Sequence, residues 1–350
     1  MGFAQFFILA VISVSNYIAL HVPVPAQMSG IYLTASSIGS SRGDELVDQL
    51  VKVGGNTVVI DVQAGGKFAY PSKVTASVAL GSGGNVIPDL RAAVAKLHKK
   101  DIYVIGRFIL FKNEFLTGAK KEWALKDKNT GKTFNNRDGA IWLDPGHPEL
   151  LSYYADICRE LADAGFDEIQ FDYVRFPEAG KNYYIGYNYT GHETITREQT
   201  ITNAVKYLGE VLHKKGVAVG IDVFGIIVWD KISGPIIGQD IAALAPYVDA
   251  IYPMSYPSHF GPGWGGHENP ADEPYFFNYE TTKKFIEQTA GSGAEIRPWL
   301  QGFVYRVTNF DSTYVSEEIK ALKDLGITQY IVWNAANNYP YTFKAFAREK

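Results

Sequence analysis

Aspartate closes an alternating apolar segment near the middle of the chain. In IQFDY (169–173), Ile169, Phe171 and Tyr173 share one face of a strand, and Gln170 and Asp172 share the other. Because helix-facing positions of a covered sheet are apolar, we expect the first face to pack outward and Asp172 to point inward. A carboxylate in such a place can exchange a proton or attack an electrophilic carbon.

Three other segments carry a charged residue in the same phase of the alternation. Near its C-terminal end, VAVGIDV has Asp222 on the inward face, NTVVIDV has Asp61 there, and IYVIGRFI has Arg107. Two carboxylates beside an aromatic cleft are the equipment of glycoside hydrolysis: one protonates the leaving oxygen, and the other attacks the anomeric carbon or activates water. Burial and a neighbouring negative charge would raise the pKa of the acid, for which Asp222 is the candidate.

The segments that must position these residues alternate between strands and helices. Helical patterns cover 87–100, 149–165, 197–216 and 314–326. Eight strands joined by crossovers predict a single-domain (β/α)8 barrel, with its active site at the C-terminal ends of the strands. A doubly wound open sheet is the competing fold, but no G-x-G-x-x-G follows the first strand. The strand candidates are 29–34, 56–62, 102–109, 167–173, 217–223, 248–254, 296–302 and 329–334.

Two connections are long for a barrel and rich in aromatic residues. They follow the fourth and sixth strands, at 178–194 and 255–280. Long loops of this kind are usually functional or disordered, and these contain too many rings for simple disorder. Their aromatic and histidine side chains are Tyr183, Tyr184, Tyr187 and Tyr189 in the first, and Tyr256, His259, Phe260 and Trp264 in the second.

Other chemistries find little support. The loop histidines His192, His259 and His267 lack metal-ligand spacing, no G-x-S-x-G is present, and a single cysteine, Cys158, permits no intrachain disulfide. A net charge of -4 and a pI near 6.0 do not favour nucleic acid as a partner. We therefore expect no metal and no cofactor.

The first 20 residues contain no charged side chain. This length and composition predict that residues 1–26 are a signal peptide or an N-terminal membrane anchor, followed by the barrel domain at 27–350. An exported chain without disulfides fits a bacterial envelope protein, located outside the cytoplasm or tethered to the membrane.

The run GFDEIQFDYVRFP (165–177) resembles the signature of a bacterial family of glycosyl hydrolase domains of TIM-barrel type. Further landmarks, among them GIYLT, GRFILFKN, WLDPGHPE, IDVFG and RPWLQGF, follow in order from residue 29 to about 340. The resemblance implies that Asp172, at the end of the fourth strand, is the nucleophile and that Asp222, on the fifth, is the proton donor. One departure lies at 63–66, where Gln-Ala-Gly-Gly replaces a Lys-Asp-Asp type sequence.

We therefore expect a glycoside hydrolase that cleaves a poly- or oligosaccharide, with the cell envelope as a candidate source, and with Asp172 as nucleophile or base and Asp222 as acid. A non-catalytic glycan-binding barrel is the alternative. A purely structural salt-bridge layer, in which the aspartates pair with Arg107 and Arg175, is a third reading. The sequence does not indicate an oligomeric state. The substrate-binding candidates are Asp61, Arg107, Gln170, Arg175, Tyr256, His259, Trp299, Gln301, Trp333 and Asn334.

Overall fold

Eight parallel strands form the centre of the computed structural model, which describes residues 24–136, 138–178 and 186–349. Each strand pairs with the next, and the last pairs with the first, so the sheet closes into the predicted barrel. The barrel strands are β1 (Met28–Leu33), β2 (Thr57–Asp61), β3 (Tyr103–Ile109), β4 (Glu168–Asp172), β5 (Ala218–Phe224), β6 (Ala250–Met254), β7 (Trp299–Gln301) and β8 (Gln329–Trp333).

Helices fill the connections between the strands. The four longest predicted helical patterns are all confirmed, as α4, α6, α7 and α11, and within the described ranges no helix is long and apolar enough to cross a membrane. The helices are α1 (Ala35–Ile38), α2 (Ser41–Lys52), α3 (Thr75–Leu80), α4 (Leu90–His98), α5 (Glu114–Ala119), α6 (Pro148–Ala164), α7 (Arg197–His213), α8 (Ser233–Ile237), α9 (Ile241–Leu244), α10 (Pro274–Thr289), α11 (Ser312–Lys323) and α12 (Pro340–Glu349).

The strand faces divide as the alternation predicts. Ile169 and Phe171 belong to the large apolar core between the sheet and the helices, whereas Val59, Ile105 and Ile331 belong to a second core inside the barrel. The parallel register sets Asp61 beside Arg107 and Arg107 beside Gln170. Polar side chains of neighbouring strands therefore meet within the barrel.

Two element boundaries differ from expectation. The seventh strand consists of two pieces, Glu295–Ile296 and β7, because Pro298 between them has no N–H to donate to a ladder. The connection after β6 is shorter than the sequence suggests, since α10 begins at Pro274 and takes in the residues from 274 to 280.

The two residues before the predicted start of the barrel domain are hydrogen-bonded to the barrel. The carbonyl of Pro25 accepts a hydrogen bond of 2.8 Å from Gln329 Nε2, and that of Ala26 accepts one of 3.0 Å from Thr328 Oγ1. The chain thus contacts the floor of the barrel before residue 27. The predicted signal peptide or anchor falls mostly on residues 1–23, which lie outside the described residues.

A buried ion pair closes the N-terminal end of the barrel. Arg297 Nη1 donates to Glu168 Oε2 at 2.7 Å, and the hydroxyls of Tyr103 and Tyr252 donate to the same carboxylate at 3.0 and 2.7 Å. Gly220 leaves room for this group: a Cβ there would lie 2.4 Å from Glu168 Oε1. The Arg297–Glu168 ion pair and the rings of Tyr103 and Tyr252 therefore help to close this end of the barrel.

Replacing Arg297 by Met should destabilise the protein by about 3–5 kcal/mol, because Glu168 would lose its ion-pair partner while it stays out of contact with solvent. The free energy of unfolding in urea measures this loss. Arg159→Met is the matched control, since its 2.5 Å pair with Asp156 is exposed and should be worth less than about 1 kcal/mol. Equal effects of the two substitutions would contradict a structural role for the buried pair.

Candidate active site

Arg107 gathers three carboxylates at the C-terminal end of the barrel. Its Nη1 donates to Asp61 Oδ1 at 2.6 Å, and its Nε donates to Asp172 Oδ2 at 3.0 Å, with Nη2 donating to the same oxygen. Asp222 Oδ2 lies 3.9 Å from Nε. Although burial lowers the pKa of Arg107, the three carboxylates, Asp172 foremost, raise it well above its ordinary value, so the guanidinium stays charged.

One cation among three carboxylates leaves an excess of negative charge. The side chain of Asp222 is the most deeply placed of the three, and the residue is only 2% exposed. Burial, and then the charge of Asp172, raise the pKa of Asp222 well above its ordinary value. These two effects favour the protonated form of Asp222 over its carboxylate.

Trp299 fixes the orientation of this acid. Its indole Nε1 donates to Asp222 Oδ1 at 2.7 Å, and its ring packs edge-on against Trp333 with the centroids 5.5 Å apart. The hydrogen bond lowers the pKa of Asp222 and so opposes the effect of burial. Oδ2 is left to face Arg107 and the space above it.

Trp299→Phe should therefore raise the pKa of Asp222 further and move the alkaline limb of any pH–activity profile to higher pH. Loss of positioning should also lower kcat/KM roughly 10- to 100-fold. The control is Trp123→Phe, which removes a buried indole that donates to Glu149 at 3.2 Å on the outer side of the barrel. If the alkaline limb of the pH–activity profile lies at the same pH in Trp299→Phe as in the wild type, the proposed role of Trp299 is contradicted.

The backbone turns sharply immediately after Asp172. Tyr173 adopts a left-handed conformation, with φ at 52°, and its N–H donates to Asp172 Oδ1 at 2.5 Å. A residue other than glycine in this region is strained, and such strain is concentrated at functional sites. β4 ends at Asp172, and Tyr173 packs against the outer core as predicted while it also lines the cavity above the strand.

A cavity of about 230 Å³ lies directly above the cluster, and we call it the carboxylate cavity. Eight of the residues selected from the sequence line it, including both proposed catalytic aspartates. The remaining four are rings and a thioether from neighbouring strand ends and loops. Its lining residues are Arg107, Asp172, Tyr173, Arg175, Asp222, Phe224, Met254, Tyr256, His259, Trp299, Phe303 and Trp333.

Two of these residues add polar and aromatic character to the wall. Arg175 is buried, with its guanidinium 4.8 Å from the ring centre of Trp142 and 4.5 Å from that of Phe224, and desolvation lowers its pKa. Burial and the charges of Asp222 and Asp172 raise the pKa of Tyr256 well above its ordinary value, so its hydroxyl keeps its proton beside the carboxylates.

Four predicted binding residues lie elsewhere. Asp61 lies behind Arg107, where it also accepts a hydrogen bond from the hydroxyl of Tyr32. Gln170 is fully buried one layer below Asp172, and neither polar atom of its side chain has a partner in the described part of the chain. Gln301 accepts from the Ser258 N–H at 3.2 Å and donates to a loop carbonyl.

Asn334 likewise organises loops rather than the carboxylate cavity. Its Nδ2 donates to the carbonyls of Gly302 and Asn338 at 2.6 and 3.0 Å, and its Oδ1 accepts from the Ala336 N–H at 2.9 Å. It thereby joins the connections that follow β7 and β8. These bonds satisfy most of its hydrogen-bonding capacity.

Several cavity residues were missed, although the sequence contained the signal. Phe224, Met254 and Phe303 are in the same phase as Asp222, Tyr252 and Gln301, at or just beyond the ends of their strands. Tyr32 does not line the cavity, but it is likewise in phase near the end of β1, and its ring stacks on the lining residue Trp333 at 3.9 Å. Extending the two-residue alternation beyond the charged positions would have found all four.

The long loop at 178–194 serves packing in its described part. Tyr187 stacks on Phe176 with the ring centres 5.7 Å apart, and Tyr189 packs on the same ring at 4.9 Å. Tyr183 and Tyr184 lie outside the described residues. The segment at 63–66, where the sequence departs from the family pattern, is a tight hairpin whose turn residues Gly65 and Gly66 both have positive φ.

Solved structures with a similar fold include glycoside hydrolases. The glycoside hydrolase domain of PgaB (BpsB) from Bordetella bronchiseptica is 12% identical, covering 92% of this chain and 98% of that one at a TM-score of 0.66. A chitinase from Chromobacterium violaceum is also 12% identical, with coverage of 92% and 98% at 0.55. At these identities the likeness shows the fold alone.

A closer sequence relative is a hypothetical protein from Ruminiclostridium thermocellum, 30% identical, which covers 55% of this chain and 97% of its own at a TM-score of 0.50. No curated protein matches the chain significantly. Residues 30–339 match the family described as "Putative glycosyl hydrolase domain", a range that includes all eight barrel strands except the first two residues of β1. The chain, with its carboxylate cavity inside the matched range, therefore belongs to this family of glycosyl hydrolase domains.

Proposed function

We propose that the protein hydrolyses glycosidic bonds of a poly- or oligosaccharide, with Asp222 as general acid and Asp172 as nucleophile. The observation that carries the proposal is that two buried carboxyls, Asp172 and Asp222, line the same cavity, where burial and the charge of Asp172 raise the pKa of Asp222. Glycosidases separate the roles of two carboxylates through their environments in this way.

The spacing of the two groups favours retention of anomeric configuration. Arg107 Nε lies 3.0 Å from Asp172 Oδ2 and 3.9 Å from Asp222 Oδ2, so these oxygens are at most 6.9 Å apart, the sum of the two distances. That limit excludes most of the range of about 6.5–9.5 Å that inverting enzymes need to fit a water between the acids. Retaining enzymes hold the pair about 5–5.5 Å apart.

The reaction then has two steps. Asp172 forms a bond to the anomeric carbon as the glycosidic C–O bond breaks, and Asp222 gives its proton to the leaving oxygen. In the second step Asp222, now a carboxylate, takes a proton from water while the water oxygen displaces Asp172 from the anomeric carbon. Arg107 offsets charge on Asp172 throughout, and Tyr173 N–H holds its second oxygen.

The walls of the cavity suit a sugar ring. Trp333, Phe303 and Tyr256 provide ring faces and edges against which the C–H groups of a pyranose can pack, and His259 and Arg175 provide groups for its hydroxyls. The whole chain should be tested on chitin, peptidoglycan and bacterial exopolysaccharides by release of reducing ends, with NMR identification of the first anomer formed. Release by the wild type with retained configuration is the expected result. Release with inverted configuration would overturn the proposed role of Asp172 as nucleophile.

A glycan-binding barrel without hydrolytic activity is the second candidate. The bonds of Arg107 to Asp61 and Asp172 favour it, because they would also stabilise an inert barrel mouth. Isothermal titration with the same polysaccharides separates the two functions. Tight binding without release of reducing ends would establish the second candidate over the first.

We also propose that the protein acts outside the cytoplasm, on a polysaccharide of the cell envelope. The basis is the uncharged stretch that opens the sequence. Fractionation of the producing cells, with an antibody against the barrel, is the test. Recovery of the chain in the cytoplasmic fraction alone would contradict this location.

A further inference from the structure

A second cavity adjoins the carboxylate cavity on the side of β7 and β8. It has a volume of about 470 Å³, and Phe303 and Trp333 line both cavities. We call it the β7–β8 cavity. The carboxylate cavity alone is smaller than the roughly 300–1,000 Å³ of typical ligand pockets, so a ligand larger than a single small group must extend beyond it.

The wall of the β7–β8 cavity is aromatic and uncharged. Phe310 and Tyr341 form part of it, with their ring centres 5.9 Å apart, and Val304 at its edge is 70% exposed. Among the described residues that line this cavity, none carries a charge. Apolar side chains that are exposed together beside a cavity mark a site for a ligand or partner more often than the same side chains scattered singly.

The polar side-chain groups of this wall are the amides of Asn334 and Asn338 and the hydroxyls of Tyr341 and Thr342. The exposed side chain of Asn338 lies at the rim, and Asn334 holds the backbone beneath it in place. An amide both donates and accepts, so it can pair with a sugar hydroxyl without demanding a charge. Ring faces with isolated amides suit an uncharged saccharide better than an anionic one.

We propose that the β7–β8 cavity is a saccharide subsite, which binds uncharged sugar units of the same chain whose glycosidic bond lies between Asp172 and Asp222. The proposal rests on the proposed function for the position of the scissile bond, but the binding that it assigns can be measured without turnover. It makes the substrate an oligomer that extends from the carboxylates past Phe303 and Trp333, rather than a disaccharide.

Tyr341→Ala provides the test, and Tyr207→Ala is its matched control. The two tyrosines are similarly exposed, at 38% and 41%, but Tyr207 lies on α7 and does not line either cavity. Isothermal titration of the whole protein with chitohexaose, cellohexaose and mannohexaose, and with the corresponding disaccharides, measures the affinity. Thermal melting of each variant checks its fold.

We expect at least one neutral hexasaccharide to bind the wild type more tightly than its disaccharide. Tyr341→Ala should weaken hexasaccharide binding about tenfold, the effect of losing one aromatic contact, and leave disaccharide binding unchanged. Tyr207→Ala should match the wild type. Unchanged hexasaccharide affinity in Tyr341→Ala would overturn the subsite, as would the absence of binding by all three hexasaccharides.

A charged probe tests the stated substrate class. Oligogalacturonate of six units should bind at least tenfold more weakly than the best neutral hexasaccharide, and equal affinity with the same dependence on Tyr341 would overturn the preference for uncharged sugars. The subsite and the proposed hydrolysis can be refuted independently of each other. Tyr341-dependent binding without release of reducing ends refutes only the hydrolysis, whereas hydrolysis of a polymer with unchanged kcat/KM in Tyr341→Ala refutes only the subsite.

Discussion

Asp172→Asn should lower the rate of glycoside hydrolysis by at least about 10⁴-fold, because an amide neither attacks the anomeric carbon nor accepts a proton. The substitution keeps the shape of the side chain, so substrate binding should survive. Initial rates of reducing-end release, measured beside binding of the same saccharide, separate lost chemistry from lost affinity.

The same variant should keep its stability to within about 1 kcal/mol. Arg107 retains its ion pair with Asp61 at 2.6 Å when Asp172 becomes neutral, so its charge is not stranded. Asp172 also raises the pKa of Asp222, and its neutralisation relieves that repulsion. If Asp172 were only a structural partner of Arg107, the loss would instead approach about 3–5 kcal/mol.

Asp167→Asn is the control for this experiment. Asp167 lies just before the opposite end of the same strand, β4, where its carboxylate accepts from the Val104 N–H at 2.7 Å and pairs with His98 at 2.9 Å. Its replacement should cost about 1 kcal/mol and leave the activity intact. A sharp fall in melting temperature with activity retained in Asp172→Asn would identify Asp172 as a structural residue.

Asp222→Asn is expected to slow the cleavage of natural glycosides about 10²- to 10⁴-fold, since the leaving oxygen would depart without a proton. Aryl glycosides with a phenolate that leaves without protonation should lose much less of their cleavage rate, at least in the step that forms the glycosyl-enzyme intermediate. The alkaline limb of the wild-type profile should disappear, because it reports deprotonation of Asp222. Equal losses on both substrate types would contradict the role of general acid.

The raised pKa of Asp222 also makes a stability forecast with a definite sign. The folded protein holds this proton more tightly than the unfolded chain, whose ordinary value is 3.8. The contribution of Asp222 to stability is therefore full below that value and declines as the pH rises through the folded pKa. Asp222→Asn lacks this decline, so it should gain stability relative to the wild type between pH 4 and pH 8, as measured by urea unfolding at both pH values. If the difference in the free energy of unfolding between the variant and the wild type is the same at pH 4 and pH 8, the raised pKa of Asp222 is contradicted.

Much of the fold was predictable because its constraints are local. A strand covered by helices outside and side chains inside must alternate, and this alternation placed Asp61, Arg107, Asp172 and Asp222 in the lumen. Parallel strands of a barrel end at one rim, which brought those residues to the same end. Local chemistry also produced the break in the seventh strand, although Pro298 was not read that way from the sequence.

The division of roles in the site required the closed barrel. Alternation assigns a face but neither a depth nor a partner, so Gln301 and Asn334, chosen as binding residues, turn out to bond the backbone of nearby loops. The sequence alone determined that Asp172 and Asp222 point inward at the mouth. Only the tertiary structure decided that Arg107 pairs with Asp172 and that the pKa of Asp222 is raised, because a pKa depends on burial and on charges brought close by strands far apart in the chain.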